Sequence, residues 1–362
     1  MGKRLRLLGL AIFFAVFSWG FGQQEANLER TDNNFLLRRS GRHRALRVLD
    51  SSLVYRHGAG EQLLMFCEQK GVDQLFIAIP QVPPAREQRW AWRYFIREAT
   101  RRGFEVYASA GGSQWASRPY LAFRHVDALA AFQRSAGPSE RFQGVLYDVP
   151  LNLSLTYKQV GPEPDMEEVG AAVVPPAPKE IPPLSAEQKA GLEKDHKTLE
   201  EYFTFVRRVR ERLSRAALPL TFGMTIPTWL ERRVLWNDEQ KLAYKHLMDL
   251  VDFVVLTNLP DEAEGIVEAA AKEIAYADAI GKRLYLRLEV RNLPGQPKGA
   301  TLYGEDELAL EALIKQALLQ YPTNPSWTGV IINDYAGYRM LPAQRLPGGR
   351  PDYRWRTTFA PG

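Results

Sequence analysis

One cysteine, Cys67, occurs in 362 residues. A lone thiol cannot close an internal disulfide. Cys67 sits at an apolar position of a predicted helix, so it is expected in the core rather than as a reactive group. Histidine is nearly as scarce. His43, His57, His125, His196 and His246 are scattered without metal-ligand spacing, so no metal is expected. No glycine-rich stretch has a P-loop or dinucleotide pattern, and no Gly-x-Ser-x-Gly elbow occurs. Gly111-Gly112 alone is too short to cradle a phosphate. No cofactor is expected.

Long apolar runs are missing beyond the first twenty residues, so no later segment is expected to span a bilayer. The exception reads as a secretory signal over residues 1–22. Lys3, Arg4 and Arg6 precede the apolar stretch Leu7–Phe17, and small residues follow at Gly20 and Gly22. An uncleaved anchor is the competing reading. The expected location is secreted, periplasmic or cell envelope. A surplus of one charge is missing too. The formal +5 falls to +2 without residues 1–22, which carry three bases and no acid, leaving 44 basic against 42 acidic residues. A nucleic-acid partner would call for a concentrated basic stripe, and none is expected.

What the chain does have is a rhythm. Eight short apolar runs recur: Arg47–Asp50, Leu75–Pro80, Glu105–Ala110, Gly144–Asp148, Leu218–Thr225, Val251–Asn258, Arg283–Glu289 and Gly329–Asp334. Helical-period segments separate nearly all of them, which is the pattern of an α/β chain folded as a (β/α)8 TIM barrel. The barrel is expected over 45–341, after a polar lead-in at 23–44 and before an irregular tail at 342–362. With 45% apolar residues a large core is affordable.

Helices are expected near Glu61–Lys70, Glu87–Arg102, Arg124–Arg134, from Ser185 to Ala216, from Asn237, Asp261–Ile280 and Glu305–Leu319. Ser185 with Gln188, and Asn237 with Gln240, have capping-box spacing. Gly71, Gly103 and Gly281 sit where helices stop. No long helix follows the eighth run, so either closure is imperfect there or the lead-in fills the gap. A proline-rich insertion at 151–184 emerges where barrel enzymes keep their chemistry, as a lid or an excursion.

Barrels of this kind act at the C-terminal ends of their strands. The polar run endings Asp50, Asp148, Asn258, Glu289 and Asp334 are therefore the candidate rim. Asp148 and Glu289 end runs on opposite sides of the barrel, and two facing carboxylates suit acid/base cleavage of a glycosidic bond. Arg287 shares a strand face with Glu289 and could pair with it. Aromatic residues near run ends, Tyr147, Tyr335, Trp115 and Trp229 among them, could stack on sugar rings. Strand-end acids also cap helices, and aromatics also fill gaps between barrel and helices, so structural roles stay open for all of these.

The stretches GVLYDVP, VDFVVLTN, GKRLYLRLEV and GVIINDYAGYRML, in that order, resemble glycoside-hydrolase-like (β/α)8 barrels of secreted bacterial type. The resemblance covers about 45–341. It implies a glycan partner, with Asp148 as general acid and Glu289 as nucleophile. Relatives commonly carry Glu-Pro just after the fourth-strand aspartate. This chain reads Asp148-Val149-Pro150, with no acid before the proline. Two functions therefore stay open: hydrolysis by Asp148 and Glu289, or a carbohydrate-binding or scaffold protein on a degenerate hydrolase barrel. For the first, Asp148→Asn and Glu289→Gln are expected to abolish turnover without loss of stability. A carboxylate pair buried against Arg287 would favour the second.

Overall fold

Short apolar strands alternating with helices bury both sheet faces when the sheet closes on itself. The computed structural model describes residues 24–79, 86–154, 157, 185–216, 219–293 and 299–343. The expected signal at 1–22, most of the 151–184 insertion and most of the 342–362 tail lie outside the described residues.

The elements run α1 (24–39), β1 (His43–Val48), α2 (Ala59–Lys70), β2 (Gln74–Ala78), α3 (Arg86–Arg101), β3 (Glu105–Ala110), α4 (Pro119–Ser135) and β4 (Gly144–Tyr147). Then follow α5 (Ala186–Arg215), β5 (Thr221–Pro227), the strands β6 (Arg233–Trp236) and β7 (Glu239–Leu242), and α6 (Ala243–Leu250). The chain continues with β8 (Phe253–Thr257), α7 (Ala263–Ile280), β9 (Arg283–Glu289), α8 (Glu307–Gln320), β10 (Trp327–Asn333) and the single turn α9 (Tyr335–Tyr338). Strands β1, β2, β3, β4, β5, β8, β9 and β10 pair in parallel and close into an eight-stranded (β/α)8 barrel, β10 returning to β1.

Inside the barrel, Ala45, Phe76, Tyr107, Leu146, Phe253, Val255, Tyr285 and Ile331 form a buried cluster of their own. Phe76 stacks on Tyr107 at 4.6 Å between centroids. Gly223 makes room for Phe253; a Cβ there would lie 2.2 Å from its ring. Strand side chains alternate, so residues two further along each strand also face the axis. They are Arg47, Ala78, Ser109, Asp148, Thr225, Thr257, Arg287 and Asn333, and all but Ala78 are polar, making a polar layer at the C-terminal end.

Local signals explain most helices. Ser185 accepts from Gln188 N at 3.1 Å and starts α5. Gly71 and Gly281 end α2 and α7 in left-handed conformation. Cys67 is fully buried on α2.

Three expectations change. The lead-in is not merely polar chain: 24–39 is helix α1, lying against α8 and α2. Arg30 pairs with Glu307 at 3.0 Å, Asn33 donates to Glu311, and Asn34 donates to the Lys70 carbonyl. It occupies the place of the missing eighth helix, between the helices that follow β9 and β1. Asn237 starts no helix. With Asp238 it takes positive φ, 51° and 64°, and turns the β6–β7 hairpin. Strand β1 begins at His43, so its outer residues include part of the presumed lead-in.

Among the described residues no helix is long and apolar enough to cross a membrane.

Candidate active site at the strand C-termini

Asp148 follows β4, whose Tyr147 side chain points outward, so the carboxylate points into the barrel mouth. Its position depends on Gly111. At φ +148° a Cβ on Gly111 would lie 1.9 Å from the Asp148 carbonyl oxygen, so only glycine lets these loops approach. From the helix layer, buried Tyr202 donates to the Val149 carbonyl at 3.0 Å and braces the same turn.

Both Asp148 oxygens are occupied. Oδ1 accepts from Thr225 Oγ1 at 2.8 Å, while Oδ2 accepts from Arg47 Nη1 at 2.5 Å and Arg287 Nη1 at 3.2 Å. Burial alone would raise this carboxyl. The two guanidiniums outweigh burial and, with the hydrogen bonds, bring it down to about 2.

Glu289 is held as tightly by different partners. Oε1 accepts from the Arg291 backbone N at 3.1 Å and Nε at 2.7 Å; Oε2 accepts from Arg291 Nη2 at 2.9 Å and Asn333 Nδ2 at 2.6 Å. The Arg287–Glu289 pair that strand parity allowed does not form. The two side chains do share a face, but Arg291 folds back from the following loop onto Glu289, and Arg287 reaches across to Asp148.

A cavity of about 420 Å3 opens here. Of the nine predicted site residues, Asp148, Asn258, Glu289 and Trp229 line it, with Thr257, Arg287 and Arg291. Asn258 turns the chain after β8 at φ 62°, which asparagine tolerates better than most residues. Trp229 packs partly against the core and meets Tyr157 edge-on.

The structure places the other five elsewhere. Tyr147 is fully buried in the helix layer, where its hydroxyl meets His125 Nδ1 at 2.9 Å. Trp115 packs edge-on against Tyr147 at 5.1 Å, also fully buried. Tyr335 lies edge-on to Phe66 of α2. Asp50 is exposed, capping a short turn through Ser52 and pairing with Arg56. Asp334 accepts from Gly337 N at 3.0 Å and caps α9. It touches the site only through its charge on Arg291.

Arg47 and Arg291 were not singled out from the sequence. Arg47 carries the inward parity of β1, one register step above Ala45, and that periodicity was the available signal. Arg291 lies beyond its strand, where no period applies. Among the described residues no group of three or more His, Cys, Asp or Glu could hold a metal ion.

No family model matches the chain, and no curated protein matches it. Solved structures do. The glycoside hydrolase domain of PgaB (BpsB) from Bordetella bronchiseptica is 11% identical, with 82% of this chain and 95% of that chain covered at a TM-score of 0.46. A β-glucosidase from Thermotoga maritima is 10% identical, with 81% and 88% covered at 0.46. The ChiB chitinase of Flavobacterium johnsoniae is 12% identical, with 82% and 88% covered at 0.41. The TIM barrel is set by the closed sheet of eight parallel strands, and these likenesses assign the chain no function.

Proposed function

We propose that this protein binds a glycan at the barrel mouth without hydrolysing it, on a hydrolase-type barrel whose carboxylates have become structural. The observation that carries this reading is the double clamp on Asp148. A general acid must hold a proton near the working pH. Asp148, between Arg47 and Arg287 and brought down to about 2, is ionised throughout the physiological range. No neighbouring acid replaces it, because Val149 and Pro150 follow. Glu289, whose two oxygens each accept two hydrogen bonds, is poorly placed to attack an anomeric carbon.

A sugar suits the cavity on general grounds. It is concave, about 420 Å3, and lined by Trp229 together with the hydroxyl and amide groups of Thr257 and Asn258. Export to the envelope belongs to the same reading, supported by Lys3, Arg4 and Arg6 ahead of Leu7–Phe17.

The test joins a glycan array to a reducing-end assay on the same purified protein. Retention of a glycan with no new reducing ends is the expected result. Reducing-end release that disappears in Glu289→Gln would restore the hydrolase reading.

A further inference from the structure

The arginines bonded to the two mouth carboxylates outnumber them. Glu289 and Arg291 form a bidentate pair, one cation to one carboxylate. Asp148, by contrast, is shared by two guanidiniums, so that trio carries a net positive charge. Each guanidinium carries five N–H donors. Arg287 spends one of them on Asp148, and Arg47 also spends one. The remaining donors of both have no hydrogen-bond partner among the described residues, and Arg47 Nε is buried in that state. Their side chains are only 15% and 9% exposed. Desolvating a cation without a matching anion is costly, and the cost is recovered when an anion arrives.

Arg287 lines the cavity together with Thr257, Asn258 and Trp229. Two other buried polar atoms of the inward layer, Ser109 Oγ and Asn333 Oδ1, also lack partners. Asp334, a further carboxylate acting on Arg291, is turned to the Gly337 amide and does not line the cavity.

We propose that the glycan bound at the mouth is an acidic one, a saccharide whose ring carries a carboxylate, and that Arg287 receives that carboxylate. The planar fork of a guanidinium matches a planar carboxylate through two parallel N–H···O bonds, and Arg287 has free donors to form them. The inference rests on the glycan-binding reading above and narrows its ligand class.

Calorimetry at low salt with oligogalacturonate and oligoglucuronate, their methyl esters, and neutral cello- and chito-oligosaccharides of equal length tests it. The free acids should bind roughly ten-fold or more tighter than their own methyl esters, because esterification removes the charge and keeps the ring. Raising the salt should narrow that gap. Arg287→Gln should abolish the preference, and Arg287→Lys should restore only part of it, since an ammonium lacks the fork. The ester comparison uses the unaltered protein, so it decides the matter even where a variant fails to fold. Equal affinity for acid and ester, or tighter binding of the neutral oligosaccharides, would overturn the acidic ligand and leave glycan binding standing. Absence of binding to every sugar in the panel and on the array would overturn both.

Discussion

Strand β1 carries two arginines with opposite fates. Arg44 points outward and meets Glu311 of α8 in a fork, Nη1 to Oε1 and Nη2 to Oε2, both at 2.7 Å. Asn33 of α1 adds a third bond to Oε2 at 2.8 Å. Charges match one to one, and the two side chains are 1% and 0% exposed. Arg47, three residues on, points inward and shares Asp148 with Arg287, each arginine giving one N–H. Among the described residues the first cluster faces no cavity, and its atoms left without partners are Arg44 Nε and Asn33 Oδ1, both buried. The second is open, with surplus donors at a cavity. Both are buried arginine–carboxylate clusters, so burial and charge alone do not distinguish a structural fixture from a site. What the spare donors face does: Glu307 is likewise shared by two cations, Arg30 and Lys70, yet it fastens helices, whereas Arg287 lines the cavity.

The comparison breaks first at its closed end. Glu311→Gln leaves Arg44 buried without an anion and loosens α1 from the barrel, so a loss of about 3–5 kcal/mol is expected in denaturant unfolding. Glycan binding by the folded fraction should be unchanged. A loss below about 1 kcal/mol would mean that Arg44 finds water or another partner, and the closed cluster would not be closed.

Asp148→Asn attacks the open end and should cost less, about 2–3 kcal/mol, because the Asp148 side chain keeps 25% exposure. This replaces the expectation of intact stability drawn from a catalytic role. The same carboxylate sets an acid limit. Folding lowers its pKa to about 2, so its stabilisation is complete above about pH 4 and is lost as the pH falls towards 2. Over that window it is worth about 2 kcal/mol, and Asp148→Asn should flatten the corresponding slope of stability against pH. An unchanged slope would show that the arginines do not hold Asp148 ionised.

The barrel was legible in the chain because its signals are local. Short continuous apolar runs, the Ser185 capping box and the glycine stops each act within a few residues. That the lead-in could fill the gap after the eighth strand was open from the chain, but its helix α1 was not legible. Its buried face has only Ala26 and Leu37 as apolar residues, and it is fastened by Arg30 and Asn33 to acids nearly 280 positions away. Asn237 misled because asparagine caps helices and also enters left-handed turns. Which wins depends on the strand pairing of residues 233–242. At the rim, strand-end position alone found Asp148, Asn258, Glu289 and the nearby Trp229. It could not show that arginines would occupy both carboxylates, since Arg47 comes from a distant strand and Arg291, though only two residues past Glu289, lies in a loop where no period sets its direction.

Tyr147 is where the sequence carried the answer and proximity to Asp148 obscured it. Leu146 belongs to the buried cluster inside the barrel, and strand side chains alternate, so Tyr147 must face the helices while Asp148 faces the mouth. Its hydroxyl meets His125 Nδ1, burial holds that imidazole down to about 4, and Trp115 closes over both rings. Tyr147→Phe removes one buried hydrogen bond and leaves a neutral ring in place, so a loss of about 1 kcal/mol is expected. Glycan affinity should not move, because no atom of Tyr147 lines the cavity. A drop in affinity beyond the change in folded fraction would put Tyr147 in the binding machinery. The division between a mouth that binds and a helix layer that only packs would then fail one residue from Asp148.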